Sequence, residues 1–283
     1  MFQQQDNKAD DREVDRMYYE AIDAELKVEL DEEVPAPPIA LSFGTHSYAT
    51  RKGMRTEETP IATYGNFSFV QAPPKSYKSF FTSLLVSAFL KDNRWAGDKF
   101  SSYRKDKSAY HFDTEQGKWH CQRGFRRVSD MADTMDDYHT YSLRTIGYKQ
   151  RLGFIEYILS NAKEDSIGLV VIDGIADLVS DVNDIVECNV CVQKLMEWSA
   201  KYKCHIITII HSNHNSTKPT GHLGSFLEKK AETQISLNRE EDSKVVNVSC
   251  KRSRNYGFED FDFFINRFGF PEVIDASTPD IDF

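Results

Sequence analysis

No apolar run in the 283 residues approaches the roughly 18 that a membrane-spanning helix needs. The first residues, MFQQQDNKADD, are polar and acidic and lack the charged and apolar regions of a signal peptide, so a cytoplasmic location is expected. Cysteine is scarce. Five residues at irregular spacing form no disulfide framework and read as free thiols of a reducing compartment. Cys188 and Cys191 form a C-x-x-C pair, but on a helical stretch and without a second pair, so zinc is not expected. His211, His214 and His222 lie near one another without an acidic or Cys partner at ligand spacing. No internal repeat is visible.

Excess positive charge is also lacking, since the net charge is −9. The imbalance is local. Residues 1–34 hold 12 acidic and 4 basic side chains, so eight of the nine net negative charges sit in this arm. The remainder is near neutral, and local basic clusters on it can still meet a phosphate backbone.

Residues 1–11 have a composition expected to be disordered. Val14, Tyr18, Ile22 and Leu26 then recur at a spacing that predicts an amphipathic helix within residues 10–33. It is read either as a frayed acidic tail or as a helix docking on a neighbouring subunit. VPAPP at 34–38 ends it as a stiff spacer. The expected organisation is an acidic arm and linker over 1–40, a single large domain over 41–270 and an acidic tail over 271–283.

Within that domain, apolar runs alternate with helical patterns. Strands are predicted at 67–71 (FSFVQ), 109–113, 168–173 (GLVVID) and 204–210 (CHIITII). Helices are predicted at 79–91, 144–163 and 184–203. Such alternation predicts a mainly parallel α/β sheet flanked by helices. Three successive strands at 234–237, 244–250 and 261–266 predict antiparallel strands at its C-terminal edge.

The most informative stretch is FSFVQAPPKSYKSFF, residues 67–81: a strand, a tight loop, Lys-Ser and an apolar helix. This is the context of a phosphate-binding loop, G-x-x-x-x-G-K-[ST], but both glycines are missing. Ala72 and Tyr77 stand in their positions. Prolines 73 and 74 donate nothing, so the phosphate donors would be the backbone N–H groups of Lys75, Ser76, Tyr77, Lys78 and Ser79. Lys78 would reach the β- and γ-phosphates of ATP and Ser79 would hold Mg²⁺. If position 77 needs a positive φ, its bulky side chain costs about 1 kcal/mol or more.

Three strand ends follow in order. Glu115, after the strand at 109–113, is a candidate to orient or deprotonate an attacking water. Asp173 ends GLVVID and is a candidate Mg²⁺ partner through water. His211 ends CHIITII and is a candidate sensor of the nucleotide. Each alone is unremarkable as an ordinary polar strand end. The ordered set, separated by helical sequence, is what is specific.

This set resembles the RecA-like P-loop ATPases, which include RepA-type hexameric plasmid helicases, DnaB-type helicases and phage RecA-fold recombinases. The resemblance covers residues 65–266, with DTEQ at the family's catalytic glutamate and His211 at its sensor. It departs from the family's pattern at Ala72 and Tyr77. VSCKRSRNYGFEDF resembles the family's late K-x-R-N turn and implies that Lys251 and Arg254 reach a neighbouring subunit's nucleotide. It implies a homo-oligomer, a hexameric ring or a filament, using ATP and Mg²⁺ on single-stranded DNA. Candidate DNA contacts are Lys218 in the polar stretch 212–225, and Arg123, Phe125 and Arg126 in QRGFRR. A replicative or mobilising helicase, a recombinase or annealing protein, and an inactive nucleotide-binding scaffold or loader all remain open.

Overall fold

The computed structural model describes residues 3–92, 94–95, 99–212 and 218–274. It divides into two compact units, Met1–Ala36 and Pro37–Phe283.

The first unit carries one helix, α1 (Gln3–Leu26). It starts well before the predicted stripe, so the expectation of disorder is corrected for residues 3–11, where Gln, Lys and Ala favour a helix. Val14, Tyr18 and Leu26 are exposed along it. The Pro-rich stretch that follows is irregular, as Pro requires.

The second unit is an α/β body with two sheets. In chain order it contains β1 (Ile39–Thr50), β2 (Gly53–Thr63), β3 (Phe67–Ala72), α2 (Lys78–Lys91), β4 (Arg94–Trp95), β5 (Phe100–Ser102) and β6 (Ser108–Asp113). These are followed by α3 (Lys118–Ala132), β7 (Tyr138–Ser142), α4 (Tyr148–Asn161), β8 (Ile167–Asp173), α5 (Ile185–Lys201) and β9 (His205–His211). The chain closes with α6 (Gly221–Lys230), β10 (Thr233–Asn238), β11 (Val245–Ser253), β12 (Phe261–Ile265) and β13 (Pro271–Val273).

The large sheet has the order β13-β12-β11-β10-β3-β9-β8-β6-β7. From β10 to β7 every pairing is parallel, while β11, β12 and β13 are added antiparallel. This is the architecture the alternation predicts. β3, β8 and all but the last residue of β9 are buried on both faces, which is why their sequences are mainly apolar rather than alternating, with Ser68, Gln71, His205 and Thr208 as buried polar members. The sheet continues beyond residue 270, because β13 pairs with β12 through Ile265 and Pro271.

One face of the sheet carries α4, α5 and α6 around Trp198, Ile155, Leu195 and Leu227. The other carries α2 and α3. There a second, four-stranded sheet, β2-β1-β5-β4, packs over α2. Leu41, Ile61 and Phe100 from the small sheet share a cluster with Phe81, Leu84, Leu85 and Phe89 of α2. Sandwiched between two sheets, α2 is apolar all round, as a fully buried helix must be. This small sheet was not expected from the sequence, and neither were α3, β7 and α6. QRGFRR lies on α3 rather than in a loop, and residues 221–225 are the first turns of α6 rather than a flexible stretch.

Candidate functional site

Register brings the strand ends together. Ala72 lies opposite His211, and Asp113 lies opposite Asp173, which in turn pairs with Ile209. The polar residues that follow the buried runs therefore converge at one edge, the carboxyl end of the parallel strands, where ligands bind in open α/β sheets.

The loop after β3 adopts the expected tight shape. Ser76 is buried and its Oγ donates to the Pro73 carbonyl at 2.7 Å. Lys75 and Tyr77 both have φ of 61°. Position 77 therefore does need the left-handed conformation that a glycine adopts freely, and tyrosine occupies it at a cost of about 1 kcal/mol. Tyr77 is the N-cap of α2, makes no side-chain cap hydrogen bond, and no acidic residue stands in the first turn. The positive end of a 14-residue helix is thus left uncapped by protein side chains. Ser79 sits in that first turn, its carbonyl engaged by Ser83 Oγ at 2.8 Å.

Lys78, the first residue of α2, points at β9. Its Nζ is 2.8 Å from Nδ1 and 3.0 Å from Nε2 of His211. Nε2 is in turn 3.4 Å from Oε1 of Glu115. The tautomer protonated on Nε2 serves both neighbours: Nδ1 accepts from Lys78, and Nε2–H faces the carboxylate. Burial holds the Lys78 ammonium below its ordinary pKa, with Glu115 and then Asp173 pulling the other way. His211, through its hydrogen bond, holds the Glu115 carboxyl below the ordinary range; burial opposes this and Lys78 adds to it.

Glu115 is aimed by its neighbours. The Asp113 carboxylate accepts from the backbone N–H of Glu115 (3.0 Å) and Gln116 (2.7 Å) and from Gln116 Nε2 (2.9 Å). Thr114 Oγ1 lies within 3.0 Å of the Asp173 and Gly174 carbonyls and of Asp177 Oδ2. Gly174 has φ of 101°, and a Cβ there would meet Thr114 Oγ1 at 2.2 Å and Glu115 Cγ at 2.8 Å. Only glycine lets the turn after β8 approach Glu115 this closely. Arg151 ties the same ends together, donating to the carbonyls of Leu143 (3.2 Å) and Asp177 (2.8 Å). Asp113, Gly174 and Arg151 were not picked out from the sequence; Asp113, two residues before Glu115 at a strand end, was the most readable of them.

Asp173 is buried, and its carboxyl is pushed up to about 7, first by burial and then by Asp113 and Glu115, with Lys78 opposing. A buried carboxylate in this state is relieved by a hard cation. The ammonium of Lys78, the hydroxyl of Ser79 and the carboxylate of Asp173, at an uncapped helix start, form a donor set that fits a polyphosphate with a divalent metal.

The remaining candidates lie elsewhere. Lys251, Arg252 and Arg254 are exposed at the far end of β11. Arg252 pairs with Gln234, which pairs with Phe69 at mid-strand of β3, so this end of β11 lies away from its own phosphate loop. Arg254 Nη2 donates to the Lys230 carbonyl at 2.7 Å. Lys218 is exposed at the border of 213–217, which lie outside the described residues, as does His214. Thr220, just beyond, donates from both N (3.2 Å) and Oγ1 (2.8 Å) to the His211 carbonyl. On α3, Arg123 stacks 5.0 Å above exposed Trp119, and Arg126 is exposed beside a cavity of about 310 Å³. Phe125 is partly buried, edge-on to His111 at 4.9 Å, and lines the same cavity as Arg126.

Comparison with known proteins accords with this geometry. The AAA domain family model matches residues 61–217, more than half of the chain. No curated protein matches. Among solved structures, one described as an ATPase domain superposes with a TM-score of 0.55 at 13% identity, covering 74% of this chain and 85% of that one. The RadB recombinase superposes with a TM-score of 0.51 at 16% identity, covering 76% and 94%. At such identities the likeness is one of fold. The chain is therefore a member of the AAA domain family, built on a RecA-like P-loop ATPase core.

Proposed function

We propose that this protein hydrolyses ATP with Mg²⁺ at the edge formed by β3, β9, β8 and β6, and that it couples hydrolysis to action on single-stranded DNA as a RepA- or DnaB-like hexameric helicase. The observation that carries the reading is the contact of Lys78, His211 and Glu115 beside buried Asp173. Bound Mg-ATP supplies a phosphoanhydride whose hydrolysis releases energy. The chain's own residues do the rest. Lys78 and the backbone N–H groups at the start of α2 would neutralise phosphate charge, and Ser79 and Asp173 would hold the metal. Glu115, kept ionised by His211 and Lys78, orients a water and accepts its proton. His211 joins the phosphate side to the segment beginning at Thr220, which leads from residues 212–218 into α6. Lys251 and Arg254 serve a neighbour's site, since they lie away from their own.

A recombinase-like reading shares this chemistry, and the likeness to the RadB recombinase favours keeping it. Glu115→Gln tests the enzymatic claim. Removal of a positioned base should lower turnover by about 100-fold or more while changing ATP affinity little. Equal turnover in both proteins would leave a nucleotide-binding scaffold. Unwinding of a forked duplex, as against ATP-dependent pairing of strands, separates helicase from recombinase.

A further inference from the structure

The phosphate loop presents a physical puzzle. Two of its non-glycine residues, Lys75 and Tyr77, sit at φ of 61°. Each such residue costs about 1 kcal/mol unless its surroundings hold it. In the family's motif a glycine relieves position 77 by itself; here something else must.

Both residues are gripped by one side chain. Arg239 follows β10, whose Ser236 pairs with Gln71 of β3, so it emerges at the level of the loop. Its guanidinium carbon lies 4.3 Å from the centroid of the Tyr77 ring. Its Nη1 donates to the Lys75 carbonyl at 3.0 Å. Its Nε donates to the Ser243 carbonyl at 2.6 Å, and Ser243 is fixed by its own N–H on the Glu240 carbonyl at 3.1 Å. The β10–β11 turn thus holds one edge of the planar fork. The other edge takes the loop's backbone, and the face covers the aromatic ring. Lysine, a point charge with no plane, cannot make these three contacts at once. Arg239 has no counterpart role in the nucleotide contacts derived above.

We propose that Arg239 is a positioning residue that substitutes for the missing loop glycine by locking Tyr77 and Lys75 in the left-handed conformation that ATP binding requires. The inference rests on the nucleotide-binding reading of the loop. Through the β10–β11 turn it also ties the loop's shape to β11, which carries Lys251 and ends just before Arg254.

The test is the affinity of the full chain for a fluorescent ATP analogue with Mg²⁺, measured for wild type, R239A, R239K, Y77G and the Y77G/R239A pair. R239A should weaken binding by about tenfold or more, and R239K should recover little of it. Y77G keeps the backbone N–H and adopts this φ without strain, so it serves as the background in which the cost of R239A is read a second time. In the Y77G background, R239A should then cost clearly less than it does in wild type, the remainder being the lost hold on Lys75. Arg239 is half-exposed, so its truncation leaves the core intact; R239K, which keeps the charge, gives a second reading. Unchanged affinity in R239A overturns the proposal. So does an equal loss in both backgrounds, which would mean that Arg239 contacts nucleotide directly. A wild type that binds no analogue overturns the nucleotide reading itself and this proposal with it, and is recognised because no variant is then needed to see it.

Discussion

Lys78 and His211 touch across the β3–β9 seam, with Nζ 2.8 Å from Nδ1, although they are brought together only by the pairing of Ala72 with His211. The lysine that starts α2 is thereby satisfied by the imidazole. On the proposed reading, a phosphate approaching Lys78 would compete with His211 for the ammonium and so link nucleotide occupancy to the position of His211. The His211 carbonyl accepts from Thr220, the contact through which such a change would reach α6 on that reading.

His211→Ala is therefore expected to uncouple the two ligands. The ratio of DNA-stimulated to basal ATP turnover should fall to near one, whatever happens to the basal rate. A ratio equal to that of wild type would show that coupling runs elsewhere.

Arg254 lies away from the loop between β3 and α2, so on the proposed reading its contribution comes in trans. Lys78→Ala and Arg254→Ala should each be nearly inactive alone. Mixed and allowed to reassemble, they should regain turnover, because a Lys78→Ala subunit can still complete the intact site of an Arg254→Ala neighbour. A mixture no more active than its components would remove the trans role.

His111 is buried between Phe125 and Tyr138, its Nδ1 2.7 Å from Tyr138 Oη, and burial pushes its imidazole down to about 3. Its folded pKa lies below the unfolded value of about 6.5, so the unfolded chain takes up the extra proton. The stability this neutral histidine contributes is complete above about pH 6.5 and is lost as pH falls toward 3. The loss has a limiting slope of about 1.4 kcal/mol per pH unit. His111→Gln keeps a group for Tyr138 and does not titrate. Its fall in denaturation midpoint between pH 7 and pH 5 should be shallower than that of wild type. Parallel curves would assign the acid sensitivity to other groups.

Much of the core and the site was legible because burial writes itself plainly there. Strands β3, β8 and β9 are covered on both faces, so each is mainly apolar, and the site edge lies where each run ends. The small sheet was not legible. Only the inner halves of β1 and β2 are buried, and their polar, Thr- and Ser-rich outer halves read as loop. α3 hid behind its arginines, although Cys121, Phe125, Val128 and Ala132 keep a helical spacing. α6 hid behind its glycines. Gly224 is there for packing, since a Cβ would meet Pro219 at 2.7 Å. Tyr77's strain could be suspected from the motif, but its relief by Arg239 depends on β10 pairing beside β3, which no local pattern announces.

The most direct measurement is ATP hydrolysis with and without single-stranded DNA, comparing wild type with Lys78→Ala. The account predicts turnover that DNA stimulates and that Lys78→Ala abolishes. Absence of turnover in the wild type across a range of Mg²⁺ and DNA concentrations, or turnover that survives loss of Lys78, would contradict it.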